Sequence, residues 1–338
     1  MNSRQIVFTK PNTAELLSAE LEPLKPGNVR VATEISTVSS GTERANLTGD
    51  VNISILQKST EAVFPRRSGY SAAGRVLEVG DGVRELQPGD RVAVFWSTHS
   101  QFQDIPRSQC LKLPDSVSAE EAALFHISTF PLAAIRKCRL ELGEPALVMG
   151  QGLLGLLAVK LLRLGGAYPV IAADPVPEKR QRALEMGADF GLDPFAPDFA
   201  RQVKEITHGG AKVAVEVTGK GMALDGVLDC MAPLGRVALL GCTRDPNFTI
   251  DYYRKVHGPG ITLVGAHTNA RPHTDSAPGY WTQRDDFACV LALVAGGRLQ
   301  LRDLIEETHS PEEAPEVYAR LAAESSFPVV QFDWRLLK

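Results

Sequence analysis

The stretch Ala146-Leu147-Val148-Met149-Gly150-Gln151-Gly152-Leu153-Leu154-Gly155 decides the fold of this chain. An apolar, strand-like run enters a glycine turn, a helical pattern leaves it as far as Leu164, and a second apolar run, 168–173, ends on Asp174. Strand, glycine turn, helix, strand and acid in this order are the fingerprint of a dinucleotide-binding unit. Gly150 permits the tight turn, Gly152 lets the backbone approach a pyrophosphate, and Gly155 lets the helix lie close on the sheet. Gln151, Leu153 and Leu154 bring the unpaired N–H groups of the helix N-terminus to the same point, where the dipole favours phosphate. Asp174 stands where a carboxylate accepts both ribose hydroxyls and repels a 2′-phosphate, which predicts NAD rather than NADP. Pro175 offers that phosphate no donor, whereas Lys179 follows closely enough to meet the coenzyme.

Outward from this stretch the pattern alternates. Strands are expected at 146–149, 168–173, 212–217, 236–241 and 261–265, with helices near 153–164, 178–186, 199–207 and 221–231, Asp198 being an expected N-cap. This predicts an α/β fold, a doubly wound parallel Rossmann sheet over 124–266. The first 120 residues are β-rich instead: 28–35, 72–80 and 90–95 are expected strands, broken by turns such as Gln87-Pro88-Gly89-Asp90. Ser118 with Glu121, and Ser310-Pro311 with Glu313, are capping boxes, and the chain ends on an expected strand, 328–334. A nucleotide domain in the middle of a chain implies a discontinuous partner domain, here 1–123 with 267–338, and a substrate cleft between the two.

The 338 residues suffice for two domains, and 44% hydrophobic with 22% charged residues describes an ordinary globular enzyme. A net charge of −4 points to no nucleic-acid partner and no anionic membrane. The N-terminus lacks a signal-peptide core, and 153–164, interrupted by Lys160 and Arg163, is too short to span a bilayer, so a cytoplasmic protein is expected. Five widely spaced cysteines without a CxxC predict core thiols rather than disulfides or a zinc lobe.

Gly41-Thr42-Glu43, Ala73-Gly74-Arg75-Val76-Leu77-Glu78-Val79-Gly80, Pro88-Gly89-Asp90-Arg91-Val92 and the central fingerprint occur in the order and spacing of the medium-chain dehydrogenase/reductase superfamily, the fold of zinc alcohol dehydrogenases. The chain resembles that superfamily over nearly its whole length, which implies a GroES-like catalytic domain beside the Rossmann domain and a homodimer. It departs from the pattern at the metal. Ser40 stands where the family has its first zinc ligand, a cysteine, and Tyr70 where it has its second, a histidine; the third position falls near Phe125 or His126. The structural zinc lobe is missing. The chain is thus similar to a zinc-free branch, some of whose members are quinone or enoyl reductases while others act on sugars, keto-glycosides or bacteriochlorophyll precursors. No metal is expected.

Without zinc, side chains must stabilise the developing alkoxide and take its proton. The resemblance puts Thr42 at the family's proton-relay position and Glu43 where the family's acid supports the ligand histidine, free here to polarise Tyr70; His126 is a second candidate. It also implies coenzyme contacts from Ser128 and Thr129, from Thr218 after the fourth sheet strand, from Gly241 and Cys242 after the fifth, and from Gly265 and Ala266 after the sixth. His267, Asn269 and Trp281, with Ser40, Trp96 and His99, offer aromatic faces beside donors and acceptors, which suits a small-molecule substrate of carbohydrate type. The expected function is NAD-dependent, zinc-independent interconversion of a secondary hydroxyl and a ketone on a sugar, glycoside or polyol. The alternatives are a quinone or enoyl reductase and a non-catalytic NAD(H)-binding protein.

Overall fold

The strands Ala146–Met149 and Val170–Ala173 are buried at every position. A strand with no polar face must be covered on both sides, which is the environment of a central strand in a parallel sheet. The computed structural model, which describes residues 1–53, 61–243 and 247–338, shows this arrangement. The chain divides into two compact units, Met1–Ile127 with Phe287–Lys338, and Ser128–Asp286.

The second unit is built on a six-stranded parallel sheet. Its order is Phe190–Leu192, Val170–Ala173, Ala146–Met149, Ala211–Glu216, Met231–Leu239, Thr262–Gly265. The order reverses between Ala146–Met149 and Ala211–Glu216, the switch point at which such sheets bind ligands at the carboxyl ends of the strands. Helices Leu153–Leu164, Pro177–Glu185, Phe199–Ile206 and Gly221–Asp229 lie between the strands in sequence, close to the expected spans. Phe199, Val203, Leu224 and Val227 pack with Leu147, Ile171 and Val237 in the core of this unit. The three-residue strand Phe190–Leu192 has too short a pattern to be foreseen. Asp198 does not cap through its side chain; its carboxylate takes Arg201 and Gln202 instead.

The segment after residue 266 belongs to this unit, so the boundary falls at 286 rather than 266. A buried ion cluster explains why. Asp286 is bonded by Arg136 at 3.0 Å and by Arg271 at 3.3 Å, and Arg271 also donates to the carbonyls of Thr268 (2.7 Å) and Thr129 (3.5 Å). Lys137 donates to the carbonyls of Gly265 and Ala270. These bonds fasten 265–286 to the helix Phe125–Lys137. Burial pushes the Asp286 carboxyl up, against the pull of the two arginines, and pushes the Arg271 guanidinium down.

The first unit carries two antiparallel systems. The larger sheet runs Glu307–His309, Val330–Asp333, Asn28–Thr37, Ser71–Val79, Arg91–Phe95, Cys110–Lys112, with Phe102–Pro106 also paired to Asn28–Thr37. The smaller joins Thr13–Glu20, Asn2–Lys10 and Arg66–Arg67. Among the described residues, only Glu307–His309 and Val330–Asp333 pair in parallel within the larger sheet. One core cluster packs Val29, Val31, Val76, Val92, Val94 and Ile105; another packs Ile6, Phe8, Leu47, Tyr318, Leu321 and Phe332. The C-terminal segment therefore completes both a sheet and a core begun by the N-terminal one. Ser118 accepts from the Glu121 backbone, and the box at Ser310 and Glu313 is closed on both sides.

Two substitutions test these supports. A Cβ on Gly155 would stand 1.9 Å from the Gly150 carbonyl oxygen, so Gly155→Ala must push the helix Leu153–Leu164 off its turn; urea unfolding is expected to show a loss of about 3 kcal/mol. Asp286→Ala leaves two largely buried guanidinium groups without their shared carboxylate, and the same measurement is expected to show a loss of about 3–5 kcal/mol.

Candidate functional site

Glu43 organises the β-rich unit. It lies one turn into the helix Ser40–Thr48, has no solvent exposure, and accepts three hydrogen bonds. The Ser39 N–H donates to Oε1 at 2.8 Å, His99 Nε2 lies 3.2 and 3.1 Å from the two oxygens, and the Tyr318 hydroxyl donates to Oε2 at 2.5 Å. A carboxylate only accepts, so His99 Nε2 carries a proton in this arrangement. His99 Nδ1 then faces the Ser36 hydroxyl at 2.8 Å, and Ser36 accepts from Trp334 Nε1 at 2.9 Å. Burial first, and the Glu43 charge second, push the Tyr318 phenol well up, so it remains a donor. Gly69 makes room: φ is +98°, and a Cβ there would lie 2.8 Å from the His99 backbone nitrogen.

This corrects two expectations. Glu43 does not reach Tyr70, because its oxygens are turned into the core toward His99 and Tyr318. The Tyr70 hydroxyl instead donates to Ser39 Oγ, so the link to Glu43 runs through Ser39. His99 does not line an open surface; at 1% exposure its ring is enclosed by Ser36, Glu43, Tyr318 and Phe332.

A second group surrounds Tyr70. Its carbonyl receives the Trp96 N–H at 3.0 Å and faces His126 Nδ1 at 2.5 Å. A carbonyl only accepts, so Nδ1 of His126 holds a proton in this arrangement. The buried His126 ring meets Tyr70 (5.4 Å), Trp96 (4.6 Å) and Phe95 (5.6 Å) between centroids. Trp96 has φ +56°, a left-handed conformation that costs a bulky residue about 1–3 kcal/mol. Its ring is nonetheless 41% exposed, one face of an aromatic wall beside Tyr70 and His126. Ser40 and Thr42 are partly exposed on the first turn of the helix Ser40–Thr48.

The parallel-sheet unit holds the residues expected to meet the coenzyme. Gly150 has φ +98°, and a Cβ there would meet Thr218 and Val217 at 2.8 and 3.0 Å. Nothing lies within 4 Å of a Cβ built on exposed Gly152, which leaves the helix N-terminus open to a phosphate. Asp174 grips the turn: its two oxygens accept from the Gln151 N–H (2.8 Å) and the Val176 N–H (2.9 Å). Lys179 is half-buried on the following helix, while Arg180 is drawn to the carbonyls of Asp174 and Pro175. Leu153 is buried and Leu154 half-buried on the first turn after Gly152.

Across the switch point Thr218 is committed inward. Its N–H and hydroxyl both donate to Glu216 Oε1, and the Gly219 N–H donates to the same carboxylate. Burial pushes the Glu216 carboxyl up against these donors. Gly241 approaches so closely that a Cβ would stand 2.1 Å from the Gly219 nitrogen; Cys242 and Gly265 are exposed and Ala266 buried. Ser128 and Thr129 are fully buried, and Thr129 Oγ1 accepts from Gln283. His267 Nδ1 accepts the Asn269 N–H, and burial with Lys137 nearby holds its pKa down, so its ring is neutral. Trp281 lies under the Arg136 guanidinium at 3.5 Å, and Asn269 is exposed.

Sequence reasoning missed Ser36, Ser39, Tyr318 and Trp334. Tyr318 sits with 314, 317 and 321 on an apolar helical face and has the pattern of core. The serines in Ser36-Thr37-Val38-Ser39-Ser40 were the available signal, since buried strand positions rarely take hydroxyls without partners.

Residues 25–119 match the alcohol dehydrogenase GroES-like domain and residues 154–291 the zinc-binding dehydrogenase family. L-threonine 3-dehydrogenase of Thermococcus kodakarensis is 30% identical, covering 97% of this chain and 97% of its own. (R,R)-butanediol dehydrogenase of Bacillus subtilis is 28% identical over 84% of this chain and 88% of its own, and D-guloside 3-dehydrogenase of Escherichia coli 25% over 74% and 72%. A zinc-binding dehydrogenase from Sinorhizobium meliloti bound to NADP superposes with TM-score 0.81 at 21% identity, and an Escherichia coli alcohol dehydrogenase complexed with NADH with 0.83 at 18%, each covering 98% of this chain and 99% of its own. The chain belongs to the medium-chain dehydrogenase/reductase superfamily, as an oxidoreductase that works with a nicotinamide coenzyme.

Proposed function

We propose that this protein is an NAD(H)-dependent, zinc-independent oxidoreductase that interconverts a secondary hydroxyl and a ketone on a sugar, glycoside or polyol. The observation that carries the proposal is the donor set at the family's metal positions. Ser40 and Tyr70 stand there, and among the described residues no group of three or more His, Cys, Asp or Glu is arranged to hold a metal ion. Zinc takes thiolate, imidazole and carboxylate ligands, and two hydroxyls do not replace them. The residues do not fit the family's metal.

A bound nicotinamide would supply the hydride chemistry at the carbinol carbon, and the hydroxyl proton would fall to the protein. Tyr70 and His126 are the groups assigned to that task. Tyr70 has one hydroxyl proton, which it gives to Ser39 Oγ here; in the reaction Ser39 would donate to the Tyr70 oxygen and Tyr70 would turn its proton to the substrate oxygen. His126 Nε2 takes the proton in oxidation and returns it in reduction. Trp96 offers an aromatic face to the C–H side of a polyhydroxylated ring. A guloside dehydrogenase and a butanediol dehydrogenase among the relatives support hydroxyl chemistry on polyols. The Gly150–Gly155 turn fits the pyrophosphate, and Asp174 with Arg180 turned to backbone carbonyls favours NAD over NADP.

NADH formation at 340 nm is expected from NAD with a panel of sugars, glycosides and polyols, unchanged by a chelator, and reduced at least ~100-fold by Tyr70→Phe or His126→Ala. Chelator-sensitive turnover would sink the zinc-free reading, and turnover confined to enones or quinones the substrate reading. Asp174→Asn removes the charge facing a 2′-phosphate; the ratio of kcat/KM for NADP to that for NAD is expected to rise about tenfold or more.

A further inference from the structure

The Glu43 network joins segments far apart in sequence and ends on an atom the proposed reaction uses. Tyr318 lies on the helix Ala314–Ala323 and Trp334 just beyond the last strand, Val330–Asp333. His99 comes from the loop after Arg91–Phe95, and Ser36 from the strand Asn28–Thr37. All of them are buried. The hydrogen bonds run in one direction: Trp334 to Ser36, Ser36 to His99, His99 and Tyr318 to Glu43. Glu43 in turn holds the Ser39 N–H, and Ser39 Oγ receives the Tyr70 hydroxyl. Ser39 N-caps its helix without a side-chain capping bond, so its hydroxyl is kept for Tyr70.

We infer that Tyr318 and His99 are positioning residues for the reaction: they hold the buried Glu43 carboxyl group, which fixes Ser39 and through it the direction of the Tyr70 hydroxyl. The inference rests on the reading of Tyr70 as the group that bonds the substrate oxygen. Neither residue touches substrate. Tyr318 supplies one of the three donors that fix the Glu43 oxygens, and without it the carboxylate can turn and the Ser39 N–H loses its fixed acceptor.

The test is Tyr318→Phe, which keeps the ring in its contacts with Phe8 and Phe332, together with His99→Gln. With the substrate found in the panel above, Tyr318→Phe is expected to lower kcat about tenfold with KM unchanged. A role confined to stability would lower the unfolding midpoint and leave kcat of the folded protein in place. The second readout needs no substrate: in protein labelled with ¹³C at tyrosine Cζ, the Tyr70 resonance, assigned by its loss in Tyr70→Phe, is expected to shift in both variants. An unmoved Tyr70 resonance in folded Tyr318→Phe and His99→Gln overturns the inference, as does a parent-like kcat. A shifted resonance in a protein inactive on every polyol upholds the positioning and sinks the substrate reading instead.

Discussion

A carboxylate side chain with no solvent exposure, Glu43, is the constraint around which the β-rich unit is arranged. Burying such a charge costs several kcal/mol unless donors replace the water it loses. Glu43 has three, and no two come from the same element: a backbone N–H at a helix start, an imidazole from a loop, and a phenol from a helix near the C-terminus. The unit can close its core only when residues near 40, 99 and 318 have met. That requirement gives a physical reason for a discontinuous domain to hold together, since its two pieces share this carboxylate as well as the sheet pairing of Val330–Asp333 with Asn28–Thr37.

The parallel-sheet unit uses the same device at its strand ends. Asp174 accepts from Gln151 and Val176, and Glu216 accepts from Thr218 and Gly219. Loops at the carboxyl ends of parallel strands carry unpaired N–H groups, and a buried carboxylate can gather two of them at once. The glycines complete the arrangement by letting backbones approach where a Cβ would collide, as Gly155 does over Gly150 and Gly241 over Gly219. The turn is thereby rigid before a coenzyme arrives, and its open point is Gly152.

The nucleotide fold was legible because its signals are local. Period-3.6 apolar patterns and glycine turns marked Leu153–Leu164 and Ala146–Met149 at their observed ends. Phe190–Leu192 was not legible, since three residues carry no period. The candidate site was legible only in part. The motif Gly41-Thr42-Glu43 located a carboxylate but not its partners, because His99 and Tyr318 reach it across 56 and 275 positions of sequence. The segment 267–281 had the composition of a binding loop, and its Arg271 proved to be anchored on Asp286.

The changed metal positions and the retained acid belong to one argument. In the superfamily pattern the acid of the Gly-Thr-acid motif supports a ligand histidine; here that histidine position is Tyr70 and the acid remains. A buried carboxylate cannot stay when its partner is removed unless another donor takes its place, because the unpaired charge is costly. His99 and Tyr318 are the side-chain donors to the acid in this chain, and Gly69 lies against the histidine, where a Cβ would stand 2.8 Å from the His99 nitrogen. On the proposed zinc-free reading, a histidine on one loop, a glycine opposite it and a tyrosine on a helix near the other end of the chain hold the carboxylate in place of a ligand histidine, and the carboxylate holds Ser39.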